Sequence, residues 1–171
     1  PGQEVGNSVA ALLAGKLTPS GKLPMTWPVR YQDVASSANF PSDASDYCVE
    51  GDQTKYKNRR NYGYTVYDED IYVGYRYFDS FKKNVSYPFG YGLSYTTFAY
   101  GDVTAKANGG KVTVSVTVTN NGKSAGKEGA EVYVTAPNGS VDKPAQELKA
   151  FAKTRTLQPG ESETLTMDID R

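Results

Sequence analysis

"KVTVSVTVTN", residues 111–120, decides the fold. Val112, Val114, Val116 and Val118 alternate with Thr113, Ser115, Thr117 and Thr119. A period of two with β-branched residues on both faces is a strand with one buried side. Asn121-Gly122 then reads as a turn. Working outward, "AEVYVTA" is a second strand with Ala130, Val132 and Val134 in phase, and Pro137 to Ser140 is a loop. "QELKAFAKTRTL" is a third, "QPGES" a turn, and "ETLTMDI" a fourth with Leu165, Met167 and Ile169 in phase. Thr97 to Ala107 adds a weaker strand before them. Short strands with regular turn signals predict a β-sandwich over 97–171, in which Val112, Val114, Val116, Val118, Val132 and Val134 are buried. About five strands are countable where an immunoglobulin-like sandwich needs about seven. The expectation is that the C-terminal strands are missing.

Upstream the pattern changes. Val5, Val9, Leu12 and Leu13 share a helical face, and Gly15 closes it, which predicts a helix from about Gln3 to Ala14. Pro19-Ser20-Gly21 is a turn, and Lys22 to Trp27 reads as a short edge strand because Pro24 lies in it. Helix, turn and strand are the last αβ step of an α/β layer. One helix cannot cover a sheet that is not there, so partner elements are expected before Pro1. Residues 31–66 are poor in aliphatics and read as a long loop, a kind of segment that is usually functional. "IYVGYRYFDS", residues 71–80, alternates Ile71, Val73, Tyr75 and Tyr77 against Tyr72, Gly74, Arg76 and Phe78, which predicts a strand.

Composition narrows the function classes. The 171 residues are 38% hydrophobic and 22% charged, enough to bury a core. Nineteen basic and nineteen acidic residues cancel, so no charge imbalance draws the chain to nucleic acid or an anionic membrane. No apolar run approaches the ~20 residues that cross a bilayer, and no leader is visible. The single cysteine, Cys48, has no cysteine to pair with, and the absence of histidine removes the commonest general base and metal ligand. No metal or cofactor is expected.

Candidate residues remain. Asp68, Glu69 and Asp70 stand together; Glu69 near a sugar would be a general acid, but glycoside chemistry needs two carboxylates set apart across a pocket, so a solvated strand entry is the favoured reading. Glu4 suits the helix dipole. Arg76, among aromatics, is expected to stack or ion-pair. Ten aromatic residues and three glycines between Tyr72 and Phe98 are either a domain seam or a sugar platform, and packing favours the seam. Tyr56, Tyr62, Tyr64 and Tyr67, in the long loop, are the candidate substrate-stacking residues.

"PGQEVGNSVAALLAGKLTPSGKLPMTWP", "IYVGYRYFD" and "YPFGYGLSYTTF" occur in this order, followed by "ELKAF" and "LQPGES". Together they resemble the C-terminal part of glycoside hydrolase family 3 enzymes, the β-glucosidases and β-xylosidases. The resemblance implies a mostly β chain: residues 1–96 as the last αβ elements of an α/β sandwich domain with a long loop and linker, and 97–171 as a fibronectin type III-like, immunoglobulin-like β-sandwich. It implies a retaining parent enzyme that acts on β-glycosides or oligosaccharides, is secreted or periplasmic, and carries its nucleophile and acid/base carboxylates before Pro1. No catalytic residue is carried onto this chain, and its expected partner is the N-terminal catalytic portion of the same protein. The other reading is a stand-alone carbohydrate-binding or adhesion module; the unpaired first helix argues against it.

Overall fold

The computed structural model describes residues 2–38, 68–137 and 139–170. Helix α1 runs Val5–Leu13, as its apolar spacing requires, and ends at Gly15 in the left-handed region with φ 67°. It buries none of its residues: Val5, Val9 and Leu13 are 45%, 46% and 81% exposed. The apolar face expected to lack a cover within this chain does lack one among the described residues.

The strand expected over Lys22–Trp27 contracts to β1, Trp27–Pro28, which pairs antiparallel with β2, Val85–Tyr87. Two short 3-10 turns follow at Tyr31–Asp33 and Ala35–Ala38. Cys48 and the four loop tyrosines lie outside the described residues.

The strand expected over residues 71–80 is a helix. Gly74 sits at φ 59°, ψ −133°, which a side chain would forbid, and breaks the extended path. Helix α2, Tyr75–Ser80, begins at the next residue. Its rings then meet at helical spacing: Tyr77 and Phe81 have centroids 5.2 Å apart. Only Phe78 of α2 is buried.

The sandwich is as the alternation requires. Its strands are β3 (Phe98–Tyr100), β4 (Thr104–Asn108), β5 (Lys111–Asn120), β6 (Gly129–Val134), β7 (Glu147–Lys153) and β8 (Ser162–Asp170). The weak first strand is thus two, split at Gly101, and both pair with the same side of β5, β3 at its end and β4 at its start. β8 pairs antiparallel along nearly all of β5, and β6 with β7 forms the second sheet. Val116 and Val118 of β5 and Leu165 and Met167 of β8 pack on Ala130 of β6, with Val132, Ala150 and Ala152 closing the core. Val112 and Val132 are half-buried rather than buried. Val134 is exposed, contrary to its parity, because the pairing shifts between Val132 and Tyr133 and rotates the rest of β6.

The outward face of the first sheet is a ladder of hydroxyls. Thr113 donates to Asp168 at 2.7 Å, and Ser115–Thr166, Thr117–Thr164 and Thr119–Ser162 pair at 3.1, 2.8 and 2.7 Å.

Candidate functional site

The aromatic stretch joins the N-terminal elements to the sandwich. "PSGKLP" and "PFGYGL" run side by side: Leu23 N donates to Tyr91 O at 2.8 Å and Gly90 N to Leu23 O at 2.9 Å. Gly90 adopts φ 77°, and any Cβ there would overlap the Glu131 carboxylate of β6. Lys22 reaches across to Glu128 at 2.8 Å, and Tyr100 donates to the same carboxylate at 2.8 Å. Thr18 donates to Ala125 O at 2.7 Å.

Helix α2 is tied to the segment before β7 in the same way. Tyr75 OH accepts from Leu148 N at 2.8 Å, Ser80 Oγ from Ala145 N at 2.9 Å, and Asp79 from Gln146 Nε2 at 2.9 Å. Tyr72 donates to Asp142 at 2.7 Å. Arg76 finds its ion pair in Glu147 at 2.9 Å. The Tyr75 ring lies 5.0 Å from Phe89 and 5.8 Å, edge-on, from Tyr133. The hydroxyls of Tyr72 and Tyr75 are thus spent on the junction.

One part of the stretch faces outward. Trp27, Tyr87, Tyr91, Leu23 and Leu93 line an open groove of about 520 Å³. Trp27 is 51% exposed, and the Tyr87 and Tyr91 rings lie 4.8 Å apart. Flat aromatic walls of this kind can stack on a sugar ring or take an apolar protein surface. The groove has no carboxylate in its lining.

The carboxylates do not assemble into an acid–base pair in the described residues. Asp68 and Asp70 are exposed. Glu69 is half-buried, with Oε2 enclosed and without a hydrogen-bond partner. Glu4 Oε2 accepts from Asn7 at 2.6 Å. No cluster of His, Cys, Asp and Glu suited to a metal occurs among the described residues. No described helix is long and apolar enough to cross a membrane.

Sequence reading missed the residue that locks the junction. Asn120 is fully buried: its Nδ2 donates to Ser124 O and Leu157 O, both at 2.8 Å, and its Oδ1 accepts from Thr96 Oγ1 at 2.7 Å and Gly122 N at 3.1 Å. The signal was present, since Asn120 continues the buried parity of Val114, Val116 and Val118.

These features define a class: a β-sandwich joined through an aromatic seam to αβ elements, with no catalytic pair in the described residues. Residues 1–75 match the glycosyl hydrolase family 3 C-terminal domain, and residues 128–171 match the fibronectin type III-like domain. The chain belongs to glycosyl hydrolase family 3, as a C-terminal part of such a protein. It is 48% identical to β-glucosidase 3B from Thermotoga neapolitana, solved with α-D-glucose, with a TM-score of 0.86 over 99% of this chain and 22% of that one. The family 3 β-glucosidase of Bifidobacterium adolescentis gives 38% identity and a TM-score of 0.84, over 99% of this chain and 22% of that one. A Kluyveromyces marxianus β-glucosidase is 39% identical over 99% of this chain and 18% of its own length. The chain thus spans about a fifth of the length of these relatives.

Proposed function

We propose that this chain is the non-catalytic C-terminal portion of a retaining β-glycosidase that removes terminal β-glucosyl, or β-xylosyl, residues. The observation that carries the reading is the match to β-glucosidases along nearly the whole chain, with no carboxylate in the lining of either the Trp27 groove or the cleft at Tyr95. The proposed boundary lies between Thr96 and Thr97, at the end of the aromatic seam. The α1 face and the groove at Trp27 are the surfaces offered to the N-terminal catalytic portion. Tyr56, Tyr62, Tyr64 and Tyr67 are proposed to face the glycoside substrate in that assembly.

The test is a graft. Placed in the Thermotoga neapolitana β-glucosidase in place of the corresponding segment, this chain should retain β-glucoside turnover, and Tyr→Ala changes at the four loop positions should raise KM. A folded graft without turnover would overturn the reading. The chain by itself should not hydrolyse aryl β-glucosides or β-xylosides; turnover abolished by Glu69→Gln would instead make Glu69 catalytic.

A further inference from the structure

Three lysines converge on a cleft that the glycosidase reading leaves unused. The cleft, about 650 Å³, lies between the turn after α1 and the β5–β6 connection. Lys16 comes from that turn, Lys127 from the connection, and Lys153 is the last residue of β7. The segments that carry them are held: Lys16 N donates to Ala11 O at 2.8 Å, Thr18 bonds Ala125 O at 2.7 Å, Gly126 and Leu157 exchange backbone bonds of 3.1 and 2.8 Å, and Thr154 N donates to Glu128 O at 2.9 Å. Three exposed lysines from three distant segments thus border one space.

Nothing in the lining neutralises them. No carboxylate lines the cleft. Glu128, next to Lys127 in sequence, is already taken by Lys22 and Tyr100, each at 2.8 Å. Among the described residues none of the three ammonium groups has an ion-pair or hydrogen-bond partner. The chain as a whole is neutral, so the cluster is not a by-product of general basicity. Like charges gathered this way raise the energy of the folded chain, and a multiply charged anion relieves it. Lysine is the point-charge donor suited to phosphate-type oxygens. The remaining lining fits a hydroxylated ligand: Ser20, Ser124 and Thr156 supply hydroxyls. The Tyr95 ring, half-exposed, is held by its hydroxyl bond to Leu12 O at 3.0 Å and offers a stacking wall.

We propose that this cleft binds a dianionic oxyanion group, a phosphate monoester, carried on a sugar whose ring lies against Tyr95. Free phosphate shares the charged half of that chemistry and lacks the half that Tyr95 recognises.

Equilibrium dialysis of the full 171-residue chain at low salt separates the two, and reads binding by single and associated chains alike. The probes are glucose 6-phosphate and inorganic phosphate, with chloride at matched ionic strength as the control. Glucose 6-phosphate should bind, and bind about tenfold more tightly than inorganic phosphate. Lys127→Gln should weaken it by about tenfold, the loss of one charge-assisted hydrogen bond. Amine acetylation read by mass spectrometry should show Lys16, Lys127 and Lys153 protected by the sugar phosphate, with exposed Lys106 of β4 unprotected. Equal affinity for the two phosphates would assign the site to the free anion and overturn the sugar. No binding beyond the chloride control, or equal protection of Lys106, would overturn the site altogether. Should Lys127→Gln fail to fold, the dialysis and the acetylation pattern of the native chain still decide the question.

Discussion

At the scale of single residues, Asn120 carries more of the junction than any charged group. All four of its side-chain hydrogen-bond positions are used, and its backbone bonds Glu161 O at 2.9 Å and Gly160 N at 2.8 Å. Asn120→Ala would strand the Ser124 carbonyl, the Thr96 hydroxyl and the Gly122 N–H, with Leu157 O keeping its bond from Gly126 N, and should lower stability by roughly 3 kcal/mol in denaturant titration. Burial, then a hydrogen bond to Glu131, raises the Tyr133 phenol well above its ordinary 10.0; burial, then Glu128, does the same for Tyr100. Both folded values are raised, so the stability they contribute is whole below about pH 10, where the unfolded phenols begin to ionise, and is lost as pH rises toward the folded values. The melting temperature should therefore fall above about pH 10, and Tyr133→Phe should make that fall shallower. Asn120 was legible by parity alone, as the one polar residue in phase with the buried valines. The partner of Tyr100 was not, because its meeting with Glu128 depends on how β3 and the β5–β6 connection are brought together, whereas Tyr133 meets Glu131 two residues away on its own strand.

Elements divide by how local their cause is. β5 and β8 were readable because one face is buried along their length, and a burial pattern of period two writes itself into the residues. Val116→Asp, at 5% exposure between the sheets, should unfold the sandwich: an unpaired buried charge costs about 3–5 kcal/mol, a large share of a domain's stability. Loss of the far-ultraviolet β signal at a temperature where the native chain is folded checks this. Helix α2 was not readable. The residues in and around it satisfy both periods, since Ile71, Val73, Tyr75 and Tyr77 alternate as a strand would while Tyr77 and Phe81 also stack as a helix would. One glycine conformation at residue 74 decides between them. The same holds for β6, where a single shift in pairing turns Val134 outward. The candidate loop tyrosines belong to a stretch whose composition reports exposure and no particular partner.

The whole molecule presents apolar surface on several sides. The α1 face, the groove at Trp27 and Phe151 on β7 are exposed together. Exposed apolar surface of this kind drives association in water. The isolated chain is expected to self-associate, with weak amide protection over residues 5–13; light scattering that reports a monomer, with strong protection there, would show that α1 finds a cover. The hydroxyl ladder between β5 and β8 bears on how the molecule reaches this state. Thr and Ser repeat on the outward face of both strands, so sliding one past its neighbour by two residues in one direction still sets the hydroxyls of Thr113, Ser115 and Thr117 against hydroxyls. On that face the pair holds no unique alignment. The alignment is written at its end, where a slide would carry Asn120 away from Thr96 and Leu157 or press Glu163 into the aliphatic core. The sandwich is therefore a long zip stopped at one end, and a chain that lost Asn120 would keep only Glu163 to tell the native alignment from the neighbouring one.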